Sequence, residues 1–131
     1  MKKYIWIIIP VFVATIVVVL MKTVFFLGYV PTSSMEPTLK KGSLIFGIRV
    51  FDKLEIGDII VFKKDGKLLV KRIAAKAGET ITINKIEYTV PEGCYFVLGD
   101  NKNCSIDSRY WEEKYVPKNS IIVKYLGGIN N

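Results

Sequence analysis

Ile59-Ile60-Val61-Phe62-Lys63-Lys64-Asp65-Gly66-Lys67-Leu68-Leu69-Val70-Lys71-Arg72-Ile73-Ala74-Ala75 is the stretch on which the fold turns. Two apolar runs of strand length flank an Asp-Gly pair. That pair supplies the positive φ angles of a tight type I′ turn, so the stretch reads as a β-hairpin. Outward from it the pattern repeats: short segments rich in Val, Ile, Tyr and Phe alternate with turn residues, which predicts an all-β domain. The expected strands are Ser43–Val50, Ile59–Lys63, Leu68–Ala75, Thr80–Ile83, Ile86–Val90, Tyr95–Gly99 and Ser120–Lys124. Lys41-Gly42, Ile56-Gly57-Asp58, Asn84-Lys85, Pro91-Glu92-Gly93 and Gly99-Asp100-Asn101 mark the connections. No helix longer than a turn or two is expected after Lys22, and no internal repeat or low-complexity run is present.

The N-terminus is of another kind. Tyr4 to Met21 is uncharged and, as a helix, reaches roughly 27 Å at about 1.5 Å per residue, enough to cross a bilayer's hydrocarbon core. A cleaved signal peptide ends its apolar region in small residues, whereas Val17 to Met21 are all bulky. A buried soluble helix shows a polar face, and this segment offers only Thr15 and the two aromatics near its start. Pro10 is compatible with a kinked spanning helix. The expectation is a single-pass anchor within residues 1–22 and one domain over 23–131. Orientation does not follow from charge, because Lys2 and Lys3 at one end are nearly balanced by Lys22, Lys40 and Lys41 beyond the other.

The formal charge of +7 loses its force when divided. Beyond residue 22 there are 16 basic against 12 acidic groups, or +4, with both signs interspersed as in Glu112-Glu113-Lys114. No basic stripe with interleaved aromatics suggests nucleic acid; a solvated surface or attraction to anionic lipid heads accounts for the charge. Cys94 and Cys104 permit a disulfide without requiring one, and no Cys-x-x-Cys points to a metal or redox site. The chain contains no histidine. This removes Ser/His/Asp and Cys/His catalysis and the commonest zinc ligand, and leaves the Ser/Lys arrangement for serine chemistry.

Three segments are candidates for such chemistry. Ser34 lies between Pro31 and Pro37, which stiffen the backbone and exclude helix, so its hydroxyl can be presented at a fixed angle. Read alone, the segment is equally a polar loop leaving a membrane surface. Lys71 shares a strand face with Leu69, Ile73 and Ala75, and burial there lowers a lysine's pKa toward the ~7–8 that suits a general base. The alternative is a snorkelling side chain with its amine in water. Lys85 and Lys124 compete for the role, but Lys71 has apolar neighbours on both faces of its strand. The third segment, Gly99 to Trp111, is dense in small hydrogen-bonding side chains. In it Ser105 is placed to accept from or donate to a buried amine, and an Asp/Arg pair is placed to close a loop.

In this order behind an anchor, these segments resemble type I signal peptidase (leader peptidase), a membrane-bound Ser/Lys endopeptidase, over nearly the whole chain. Thr32-Ser33-Ser34-Met35-Glu36-Pro37-Thr38-Leu39 looks like the nucleophile box, Gly57-Asp58-Ile59-Ile60-Val61-Phe62 the strand box, Lys71-Arg72-Ile73 the general-base box, and residues 99–109 the Gly-Asp-Asn…Ser-x-Asp-Ser-Arg box. The resemblance implies Ser34 as nucleophile and Lys71 as base. It implies Thr32 and the Ser34 N–H as oxyanion donors, Ser105 as orienting Lys71, and Asp107 with Arg109 as structural support. It implies a mainly β fold: an N-terminal transmembrane helix, then a compact domain of two packed, mostly antiparallel sheets, with no cofactor or metal. The implied partners are secretory preproteins with small residues before the cut, and membrane lipid. A monomer is expected, in the cytoplasmic membrane with its domain outside the cytosol.

The pattern departs from the family's in places. Lys102 stands where arginine is common, Thr32 where serine is common, and Ala75-Lys76-Ala77-Gly78-Glu79 replaces a Gly-x-Pro-Gly-Asp turn. The interval from Arg72 to Gly99 leaves no room for the large subdomain some members carry. Two alternatives stand beside this reading: a specialised relative processing one dedicated substrate, pilin-type or self-cleaving, and a non-catalytic, membrane-tethered β binding domain.

Overall fold

The computed structural model describes residues 2–130, so the outermost residues of the two expected units, Met1 and Asn131, lie outside the described residues. Helix α1 (Lys2–Thr23) contains Pro10 and buries none of its residues. Its threonine hydroxyls fold back on the preceding turn, Thr15 Oγ1 to Val11 O and Thr23 Oγ1 to Val19 O, each at 2.8 Å. Both hydroxyls are thereby satisfied within the helix, and between Lys3 and Lys22 its surface carries no charge.

Among the described residues nine strands follow: β1 (Phe25–Tyr29), β2 (Leu44–Ile48), β3 (Ile59–Lys64), β4 (Lys67–Lys76), β5 (Thr80–Ile83), β6 (Ile86–Thr89), β7 (Cys94–Leu98), β8 (Val116–Pro117) and β9 (Ile121–Ile129). Seven form one sheet in the order β1-β2-β9-β3-β4-β7-β8, and β5-β6 form a second, two-stranded one. Every pairing is antiparallel. The fold is thus mainly β with two antiparallel sheets of unequal size. Asp65 and Gly66 take φ of 50° and 76°, the positive pair the hairpin requires.

Strand β3 is apolar at four successive positions because the sheet is covered on both sides there. Ile59 and Val61 join a core with Val30, Met35, Leu39, Ile45 and Val123. Ile60 and Phe62 join another with Leu54, Ile73, Val97, Val116 and Ile121. The small sheet contributes Ile81 and Ile83 to a third cluster around Ala75, Val90 and Phe96. Bulges at Phe46/Gly47, Val61/Phe62 and Ile73/Ala75 interrupt the register, and such bulges bend a sheet and increase its twist.

Three elements differ from expectation. Phe25–Tyr29, which was not among the expected strands, is a strand paired with β2 from Phe25↔Ile48 to Tyr29↔Leu44. Strand β9 runs five residues past Lys124, because Gly127 and Gly128 continue the ladder opposite Phe46 and Ile45. Strand β8 also lay outside the expected set; it is a two-residue edge in which Pro117 sits where no further partner needs its N–H.

Candidate active site

The segment after β1 leaves the sheet at Val30, runs through a series of turns from Thr32, and returns at β2. Met35 and Leu39 are driven into the core beneath it, which turns Ser34 toward β4. Ser34 is 6% exposed and Lys71 5%. Lys71 Nζ donates to Ser34 Oγ at 2.7 Å, across 37 residues of sequence. Lys71 lies opposite Ile60 in the β3–β4 register, and direct opposites share a sheet face. By register and alternation it shares that face with Ile60, Leu69 and Ile73. Burial pushes the Lys71 ammonium below its ordinary value of 10.5, against the opposing pull of the Asp107 carboxylate. The result favours a neutral amine at the serine hydroxyl.

Thr32 Oγ1 is 3.1 Å from Ser34 Oγ, and the Ser34 N–H reaches Thr32 Oγ1 only loosely, at 3.5 Å. Two donors thus stand beside the Ser34 hydroxyl without a tight partner for the N–H. A cavity of roughly 40 Å³ is lined by Ser34 and Lys71 together with Val30, Met35, Leu69 and Val70.

Ser105 donates to Asp107 Oδ2 at 2.9 Å rather than to Lys71. Asp107 is fully buried and also accepts from Gly99 N at 3.0 Å and from the Arg109 fork, Nε at 2.9 Å and Nη2 at 3.0 Å. Burial alone raises this carboxyl, but the Arg109, Gly99 and Ser105 donors outweigh it and hold Asp107 below the usual carboxylate range. Asp107 is a charged hub tied to Arg109 on one side and to the strand end at Gly99 on the other.

Of the competing lysines, Lys85 occupies a turn at φ 68°, and Lys124 lies 3.4 Å from Asp58. Cys94 and Cys104 are free thiols.

With this geometry in place, the comparisons bear on it directly. The family model described as signal peptidase, peptidase S26, matches residues 1–87 and 84–126. The chain belongs to this peptidase family. It is 32% identical over 130 residues to a probable signal peptidase I-1 of Synechocystis, covering 72% of this chain and 65% of that protein. It is 32% identical over 121 residues to thylakoidal processing peptidase 1 of Arabidopsis thaliana, covering 63% and 36%. A Staphylococcus aureus relative named inactive signal peptidase IA is 32% identical over 89 residues, covering 65% of this chain and 51% of the relative. The chain spans between about a third and two thirds of the length of these curated relatives.

In this signal peptidase family member, the sequence reading missed three residues that hold the site together. Asn101 binds the Ser34 segment twice, its backbone N–H to Ser34 O at 2.9 Å and its Nδ2 to Ser33 O at 3.0 Å. Arg72 grips Asp100 side-on, Nε at 2.8 Å and Nη2 at 2.7 Å, and gives Nη1 to Gly57 O at 2.6 Å. These bonds hold the Asp100 carboxyl below its usual range. The turn that carries Asn101 is thereby fastened to the strand that carries Lys71. The available signal was Arg72 itself: next to a buried lysine, strand alternation puts it on the opposite face, where a guanidinium needs a carboxylate. Gly99 closes the arrangement, since a Cβ there would overlap Ser105 Oγ and stand 2.6 Å from Ser34 O.

Proposed function

We propose that this chain is a membrane-bound serine endopeptidase that removes N-terminal signal peptides from exported preproteins through a Ser34/Lys71 dyad. The observation that carries the reading is the 2.7 Å contact between a buried lysine amine and a buried serine hydroxyl. Neutral Lys71 takes the Ser34 proton as Oγ attacks the scissile carbonyl, then gives a proton to the leaving amine. The same amine activates the water that hydrolyses the acyl-enzyme. The Ser34 N–H and the Thr32 hydroxyl take up the charge that develops on the carbonyl oxygen; one such donor is worth about 10²–10³ in kcat. Ser105, through Asp107, and the Asp107–Arg109 pair act as positioning and support.

The roughly 40 Å³ cavity beside the dyad has room for only about three waters, at ~10–15 Å³ each. It accepts a side chain no larger than that of alanine or serine, so cleavage follows small residues. Membrane attachment is supported by α1, which is long and apolar enough to cross a bilayer. Exposed Phe25, Leu27, Tyr29, Leu44, Phe46 and Ile129 extend its apolar surface onto β1, β2 and β9. On this reading residues 1–22 form the anchor and its cytosolic tip. Residues 23–131 form a monomeric catalytic domain, resting on the outer face of the cytoplasmic membrane, where translocated signal peptides become accessible.

Ser34→Ala and Lys71→Met are the test. Each is expected to abolish cleavage of a preprotein in detergent micelles while the far-UV spectrum stays that of the parent. Full turnover by either variant refutes the assignment.

A further inference from the structure

A second groove is lined by the residues that follow Ser34 and Lys71 in the same two segments. Its volume is about 410 Å³, some ten times that of the small cavity, and its walls are mostly apolar. The same two segments line both. The small cavity takes residues 30–35 and 68–71, up to and including the dyad; the groove takes Pro37, Thr38 and Arg72–Ala74, which continue those segments past it. Gly99 completes the groove and lies against Ser34 O.

If an extended substrate with its small side chain in the cavity runs its preceding residues beside Leu68–Val70, its following residues leave toward 72–74. At about 3.3 Å per residue, the two to three positions from Lys71 to Ala74 correspond to roughly two to four residues beyond the scissile bond.

The groove's charge is unequal. Arg72 and Asp100 at its rim are closed on one another at 2.7 Å. Lys102, also at the rim, is exposed, and its ammonium forms no ion pair among the described residues. Its backbone carbonyl is held by Arg109 Nη2 at 3.2 Å, which fixes where the side chain begins. One uncompensated positive charge therefore stands over an apolar trough.

Building on the endopeptidase reading above, we propose that this groove receives the second to fourth residues of the mature chain and that Lys102 makes it favour acidic side chains there. Lys102 is a specificity residue, outside the groups that carry the chemistry.

The test uses the full chain in neutral detergent and two preproteins identical up to the cut, with aspartate or lysine at mature positions two to four. The parent is expected to cleave the aspartate substrate with a kcat/KM about twofold to fivefold higher at low salt, the range that exposed charge pairs give. The ratio should shrink in 1 M salt, where the Debye length is ~3 Å. Lys102→Gln should bring the ratio near one, and Lys102→Glu should invert it. Cleavage of both substrates with a ratio that Lys102→Glu leaves unchanged overturns the inference and leaves the peptidase reading standing. Cleavage of neither substrate by any form overturns the peptidase reading and this inference with it.

Discussion

Titrating the dyad is the sharpest check on the proposed chemistry, because the chain has no histidine to confuse the result. A lysine at its ordinary 10.5 leaves only about one molecule in 3,000 neutral at pH 7. Burial of Lys71 lowers that value, so kcat/KM should climb tenfold per pH unit on the acid side and level off below pH 10.5. The same shift acts on stability. Between the folded value and 10.5 the unfolded chain binds the extra proton, so stability rises with pH across that window. Below the window the fold carries a constant penalty of about 1.4 kcal/mol for each unit of depression. Lys71→Met removes the penalty. It should be more stable than the parent at neutral pH, and the advantage should fade as pH rises toward 10.5. The assay pairs a steady-state pH profile on a fluorogenic signal-peptide substrate with urea melts of both forms at each pH. A rate still rising at unit slope through pH 10.5, or a Lys71→Met advantage independent of pH, refutes the argument that a desolvated amine is the base.

Thr32→Val should lower kcat by about 10²–10³ with little change in KM, while Thr32→Ser keeps the rate, as an oxyanion donor requires. Asn101→Ala leaves one clamp on the nucleophile segment and removes the other; kcat should drop about tenfold or more with the fold intact, since small displacements of an attacking group are costly. Gly99→Ala should reduce turnover by pushing on Ser34 O and Ser105 together, and Ser105→Gly in the same chain should restore part of the loss, read as a double-mutant cycle on kcat. Arg109→Ala strands the buried Asp107 charge and should cost about 3–5 kcal/mol in a denaturant melt.

The hairpin at Asp65-Gly66, the buried run of β3 and the face of Lys71 were legible because each is a local pattern: a turn pair, a both-sided strand, a period of two. Strand β1 was not, since Phe25 to Tyr29 follows an apolar helix without a change of composition; only its pairing with β2 distinguishes it. The extension of β9 was hidden by Gly127-Gly128, which reads as a break, yet Gly127 lies close under the Phe46 ring and Gly128 against Leu44 O. At the site, Ser34 and Lys71 stood out as residue types in unusual settings. Their 2.7 Å approach depends on pairing across 37 residues, as does the grip of Asn101 across 68. Such contacts follow from sheet order, which no short window of sequence contains.

The placement of Asp107 explains how the electrostatics of this site are arranged. A carboxylate near Lys71 favours the ammonium and so opposes a neutral base, and that opposition is present. Its reach is limited by geometry: the two Asp107 oxygens are engaged side-on by the Arg109 fork, and one also takes the Gly99 and Ser105 donors. A carboxylate neutralised by a guanidinium at about 3 Å presents a dipole rather than a net charge to its surroundings, and a dipole's field falls off faster with distance. Desolvation therefore remains the larger influence on Lys71. Asp107 is left free to do what a neutral residue could not, gathering the end of β7, Ser105 and Arg109 around the back of the dyad with charge-assisted hydrogen bonds. A buried ion pair adds little net stability over an apolar equivalent; its value here is that it holds Gly99 and Ser105 in place while burial still keeps the Lys71 amine below its ordinary value.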